Sequence, residues 1–122
     1  MRLLLCLLLF TTLAAPAMAA DLRNGRELAK LCRECHAMKA GGREKFGPNL
    51  HGVFGRAAGS VAGYPYSDAM AAAGWVWNED SLDTFITDPR GRLPGTQMPF
   101  PGLPEASDRT DLIAYLMRAT RK

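Results

Sequence analysis

Two cysteines separated by two residues, with a histidine directly after the second, constrain this chain more than any other stretch: Cys32-Arg33-Glu34-Cys35-His36. Each thiol can add across one vinyl group of a porphyrin, and the histidine that follows then faces the iron. The pattern reads as covalent attachment of a c-type haem. A fold built on it must wrap a large, flat, apolar group. Haem iron in electron-transfer proteins commonly takes histidine on one side and methionine on the other, a pairing that raises the reduction potential, so a methionine is expected downstream.

Export agrees with that reading. Met1-Arg2 opens with a positive charge, Leu3 to Leu13 is almost wholly apolar, and Ala17-Met18-Ala19 has the small-x-small pattern of a signal-peptidase site. These features predict a secretory signal over residues 1–19, cleaved after Ala19, and a single domain over residues 20–122 delivered to the periplasm. The apolar run falls short of the roughly twenty residues that span a bilayer, which leaves a retained membrane anchor as the weaker alternative. Cys6 lies inside the run and leaves with it, so the cysteines that remain are both in the motif.

An exported chain with two cysteines could join them in a disulfide, but the adjacent His36 argues against that reading. Thioredoxin-like chemistry needs a βαβ context, and none is visible. For zinc the candidate ligands are Cys32, Cys35, His36 and His51. A structural zinc site usually draws two ligands from each of two separated pairs, and His36 follows Cys35 too closely for one metal to take both along with Cys32.

The composition, 48% hydrophobic and 22% charged with a net charge of +3, fits one small globular domain. So mild a charge supports neither nucleic-acid binding nor strong attraction to a membrane surface.

Along the chain, Asp21 is a plausible N-cap, and Leu22, Leu28, Ala29, Leu31 and Cys32 repeat at helical spacing as far as about Glu34. Gly25 interrupts that helix at a cost of about 1 kcal/mol, which close approach of a second helix would explain. Residues 37–66 are rich in glycine and read as loop. A loop of that length is acceptable when it encloses something, and a haem would give Phe46, Leu50, Val53 and Phe54 a surface to bury against. Ser67 caps a short helix through Met70 and Ala73, and Trp75-Val76-Trp77 reads as extended. A helix starting at Asn78 carries Leu82, Phe85 and Ile86 and ends at Asp88-Pro89. Residues 90–104 form a second loop, and a last helix runs from about Glu105 to Ala119. The expected class is all-α, with about four helices and no convincing strand.

The order of motifs then resembles the class I cytochromes c, most closely the mitochondrial type and its soluble bacterial relatives. The residues that carry the resemblance are C-x-x-C-H, Gly47-Pro48-Asn49-Leu50-His51-Gly52, Gly55-Arg56, Tyr66, Trp77, Pro94-Gly95-Thr96-Gln97-Met98-x-Phe100 and Asp111-Leu112-Ile113-Ala114-Tyr115-Leu116. The resemblance covers about Gly25 to Thr120. It implies a small single-domain cytochrome c fold around one covalently attached haem.

Cys32 and Cys35 would carry the thioether links, and His36 and Met98 would be the axial iron ligands. The Pro48 carbonyl would accept the second ring N–H of His36. Arg56, Tyr66, Trp77 and Thr96 stand where the family places partners of the haem propionates, with Tyr66 preferred to Tyr64 only by register. Phe100 would shield the haem edge, and Gly25 would let the first helix cross the last near Tyr115. Among the other methionines, Met38 is too close to His36 to reach the opposite face, and Met70 and Met117 read as helix core. His51 reads as a surface histidine. Trp75, Phe54 and Phe85 read as core packing.

The function implied is that of a monomeric periplasmic shuttle of single electrons. It would take them from a membrane quinol-oxidising complex or a periplasmic dehydrogenase and pass them to an oxidase, a reductase or a reaction centre. The alternatives are a dedicated electron-accepting subunit of a periplasmic dehydrogenase and a five-coordinate haem peroxidase or gas-binding protein. Two departures stand out. Phe85 replaces a tyrosine that many relatives carry near the methionine ligand. The lysines that ring the haem edge in the mitochondrial type give way to Gln97, Leu103, Pro104, Glu105 and Ala106, which weakens the case for docking by a strongly positive face.

Overall fold

Asp21 opens the first helix through its side chain: the carboxylate accepts from the Arg23 N–H at 2.8 Å and the Asn24 N–H at 3.2 Å, satisfying two of the amides a helix start leaves bare. Helix α1 then runs Leu22–Cys35. The structure is a computed structural model describing residues 14, 15 and 17–122, so most of the expected signal lies outside the described residues. Beyond α1 come α2 (Asp68–Ala71), α3 (Glu79–Thr87), α4 (Pro89–Arg92) and α5 (Ala106–Ala119). Among the described residues there is no strand. The extended Trp75-Val76-Trp77 makes only an isolated antiparallel bridge, Val76 to Ala57.

Helix α4 is one element more than the sequence suggests. Asp88-Pro89 ends α3 as expected, but the same aspartate also starts a new turn. Its carboxylate accepts from the Gly91 N–H at 3.0 Å, and Pro89 occupies the first helical position, where a missing N–H costs nothing. Four residues carry no readable periodicity, so only this cap could have announced the turn.

Helices α1 and α5 make the principal helix contact, and Gly25 is the reason they can. A Cβ at Gly25 would stand 2.1 Å from the Asp111 carbonyl oxygen and 2.8 Å from the Tyr115 Cβ. Beside this point Asn24 Nδ2 donates to Asp108 Oδ1 and to Asp111 Oδ2, each at 2.9 Å. At the far end Arg33 lies 5.4 Å from the Tyr115 ring centroid and bonds its hydroxyl, a cation–π contact that helps fix the crossing. The opposite face of α5 buries Leu112, Ile113 and Leu116.

Helix α3 packs against α5 and begins with a reciprocal cap: the Asn78 side chain accepts from the Ser81 N–H while the Ser81 hydroxyl accepts from the Asn78 N–H, both at 2.9 Å. An Asn78→Ala variant is expected to lose about 1 kcal/mol of stability by denaturant midpoint, with its visible spectrum unchanged. A spectral change would mean that α3 reaches the site more directly than its cap suggests. Under α3 the rings of Trp75, Trp77 and Phe85 pack edge to face, with centroids 5.6 Å and 5.3 Å apart in sequence. Arg92 of α4 covers Trp75 from outside, 4.3 Å from its ring.

Candidate functional site

The last turn of α1 places Cys32 and Cys35 three residues apart, on neighbouring positions of one helical face, and the chain leaves the helix at His36 with an extended backbone. Neither cysteine is disulfide-bonded. Burial pushes the Cys32 thiol up, so it stays protonated at neutral pH. Both thiols and the imidazole open onto one cavity of about 420 Å³.

The histidine is held from two sides. Its Nδ1–H donates to the Pro48 carbonyl at 2.7 Å, which leaves Nε2 as the atom able to bind a metal. Gly47 backs the ring: a Cβ there would stand 2.3 Å from His36 Cε1 and 2.8 Å from Nε2. Gly47 is itself fixed by its N–H, which donates to the Cys35 carbonyl at 2.8 Å. Burial lowers the His36 pKa, more than the Pro48 bond raises it, and the Arg56 and Lys45 charges add to the lowering. The imidazole is therefore neutral at pH 7, the form a metal requires.

Cys32, Cys35, His36, Pro48, Arg56, Tyr66, Trp77, Thr96, Met98 and Phe100 all line this same cavity. The structure thus brings together every site residue expected from the sequence. It also separates the two tyrosines. Tyr64 spends its hydroxyl proton on the Phe46 carbonyl at 2.6 Å, whereas the Tyr66 oxygen accepts from the Val61 N–H at 3.1 Å and keeps its own proton to donate. Arg56 donates from Nη1 to the Asn49 and His51 carbonyls at 3.0 and 3.3 Å, with no acidic partner among the described residues. Burial lowers its pKa; an arginine so placed favours an anionic partner in the cavity. His51 lies outside the cavity wall, half-buried, as expected of a peripheral histidine.

Some assignments change. Met70 and Phe85, read as core, also line the cavity, as do Leu82 and Ile86 beside Phe85 on α3; periodicity alone cannot tell a helix face turned toward a cavity from one packed in a core. Phe46, expected to bury with Leu50, Val53 and Phe54, is instead 88% exposed at the rim. Its carbonyl is taken by Tyr64 and the next residue by His36 and Cys35, so the local backbone is committed to other contacts and the ring stands outside. Leu31, counted on the apolar stripe of α1, is 51% exposed at the same rim. Gly47 belongs to a motif that carries the resemblance, but its role against the His36 ring was not assigned from the sequence. Its signal was its place before Pro48 and the steric room a close ring demands.

The lining suits a haem. It is mainly apolar, it joins two thiols, an imidazole and the thioethers of Met70 and Met98, and it adds an arginine short of an anion. A porphyrin asks for such surroundings: apolar walls for the ring, soft and nitrogen donors for iron, a cation for propionates.

The comparisons agree. The family model described as cytochrome c matches residues 22–120. The chain is similar to cytochrome c of Cochliobolus lunatus, 47% identical over 102 residues that cover 83% of this chain and 94% of that one. It is similar to cytochrome c of Arabidopsis thaliana, 44% identical over 106 residues, covering 86% and 95% respectively. It also resembles cytochrome c2 of Blastochloris viridis, 41% identical over 102 residues, covering 84% and 80%.

Proposed function

Because the chain belongs to the cytochrome c family of electron carriers, with its covalently bound haem c and iron, we propose that it is a soluble periplasmic shuttle of single electrons in which His36 and Met98 are the axial ligands. The observation that carries this reading is the convergence of Cys32, Cys35, a neutral His36 fixed by Pro48 and Gly47, and Met98 on one cavity. Cys32 and Cys35 hold the thioether links, and Arg56, Tyr66, Trp77 and Thr96 serve the propionates. Phe100 covers the haem edge. Bound there, the haem supplies a one-electron couple at iron whose potential the protein sets.

What the chain itself does is position and exclude. The Pro48 carbonyl orients the imidazole and raises its basicity. Trp77 and Phe85, 8% and 4% exposed, keep water from the inner wall. His36 and Met98 would both be engaged in holding the iron, leaving no donor position for a substrate, and the haem would supply electron transfer at the rim of the cavity.

Residues 1–19 act as the secretory signal and residues 20–122 as the exported domain. Among the described residues no helix is long and apolar enough to cross a membrane. The exported domain works as a monomer, receiving electrons from a quinol-oxidising complex or a periplasmic dehydrogenase and delivering them to an oxidase, reductase or reaction centre. An optical redox titration tests the core of the reading. The expected result is one reversible one-electron wave, with a thioether–iron absorption band near the red end of the visible in the oxidised form. Turnover of peroxide together with absence of that band would overturn it.

A second reading, a subunit held by a dehydrogenase, is favoured by the apolar rim of Leu31 and Phe46. Gel filtration of a native extract decides it. The free shuttle elutes alone, and elution only with a large partner would favour the subunit.

A further inference from the structure

We propose that Arg109 is a positioning residue for Met98, tying the exit of the methionine loop to α3 and so holding the thioether in the cavity; the inference rests on reading Met98 as an iron ligand. Met98 lies in residues 93–105, between α4 and α5. Among the described residues, the only hydrogen bond made by a backbone amide within 97–101 is long, from the Met98 N–H to Thr96 Oγ1 at 3.3 Å. Pro99 and Pro101 have no N–H to give. The placement of Met98 therefore depends on how the two ends of the loop are anchored.

The entry is anchored locally. Leu93 is buried, and its carbonyl accepts from the Thr96 N–H at 3.0 Å. The exit is anchored to distant elements. The Leu103 N–H donates to the Ile86 carbonyl of α3 at 2.8 Å. Gly102 lies so close to α3, with φ +108°, that a Cβ would stand 2.4 Å from the Thr87 carbonyl oxygen. Arg109, in the first turns of α5, closes the assembly. Its Nη1 donates to the Leu103 carbonyl at 2.9 Å and the Pro104 carbonyl at 2.6 Å, and its Nε donates to Asp83 Oδ1 at 2.7 Å.

One guanidinium thus joins α5, α3 and two residues at the exit of the loop, Leu103 and Pro104. The Arg109 side chain is 11% exposed against 43% for Asp83, so the arginine is the fixed member and the carboxylate orients its fork. A planar five-donor group can serve two carbonyls and a carboxylate at once, which a lysine cannot reproduce. Met98 would hold the iron only while the loop keeps its shape, so loosening the exit would raise the fraction of time in which another ligand could take its place.

The test is capture of added imidazole by the oxidised, haem-loaded protein, read by loss of the thioether–iron band, together with amide exchange at Met98 and Leu103, whose N–H groups are hydrogen-bonded. Asp83→Ala is expected to raise the imidazole affinity about fivefold, the scale of one partly exposed charge-assisted bond, and to speed exchange at those amides. Asp83→Glu, which keeps the carboxylate, returns both close to the parent values. Asn24→Ala serves as the control, because it removes two bonds between α1 and α5 and touches nothing in the loop. It lowers global stability and leaves imidazole affinity unchanged. Equal effects of Asp83→Ala and Asn24→Ala, or no effect of Asp83→Ala, overturn the positioning role. Absence of the red-end band in the parent protein overturns Met98 ligation itself, and the inference falls with it.

Discussion

A Gly25→Ala variant of the haem-loaded protein is expected to unfold about 10 °C below the parent, a net loss of about 2 kcal/mol or more. Local preference points the other way, since alanine is favoured over glycine inside a helix by about 1 kcal/mol. Packing decides the sign. The added methyl would meet the Asp111 carbonyl carbon at 2.7 Å and its oxygen at 2.1 Å. That group is backbone in the middle of α5, not the movable end of a side chain. Relief requires α1 and α5 to separate, which strains the Asn24 bonds to Asp108 and Asp111 and the Arg33 contact with Tyr115. Thermal unfolding followed in the haem absorption and in far-ultraviolet dichroism measures the loss. A midpoint equal to or above the parent's would show that the helices do not meet as closely as described.

That prediction also marks how far sequence reasoning reaches. Gly25 was legible as a glycine needing a reason, because its cost in a helix is a local quantity. The reason itself lay 86 residues away at Asp111 and needed a pattern of motifs in order before it could be placed. Asp21, Ser67 and Asn78 were legible outright, since a cap acts within three residues and side-chain chemistry announces it. The attachment motif was legible for the same reason: Cys32 and Cys35 on the last turn of α1 and His36 directly after it lie within five residues of one another.

What stayed hidden is set by chain reversals. Gly47 has no function until the loop folds its peptide against the His36 ring. Tyr64 and Tyr66 are alike in sequence and differ only in where each hydroxyl finds a partner, Phe46 for one and Val61 for the other. Phe46 looks apolar enough for the core, and only the commitment of its neighbours to Tyr64 and His36 leaves it outside. Asp83 and Arg109, 26 residues apart, look like solvated charges on two separate helices, yet they meet at 2.7 Å beside the methionine loop. None of these contacts has a local signature.

The cavity contains two thioethers able to approach an iron, Met70 from α2 and Met98 from the loop, and substitution separates them. Loss of the true ligand removes a soft donor that favours reduced iron, so Met98→Ala is expected to lower the reduction potential by a few tenths of a volt, within the roughly 0.8 V that axial ligands command. The red-end band of the oxidised form should disappear, and added imidazole should bind without having to displace a thioether. Met70→Leu keeps the volume of that side chain and discards its sulfur; it should retain the band and leave imidazole affinity near the parent's. The opposite pattern, with the band lost in Met70→Leu and kept in Met98→Ala, would move the ligand to α2. Helix α2 is four residues capped by Ser67, a mount with few anchors of its own. The Met98 loop is bound at entry by Leu93 and at exit by Ile86 and Arg109, and a ligand that must stay in place while iron changes charge needs the mount that is tied at both ends.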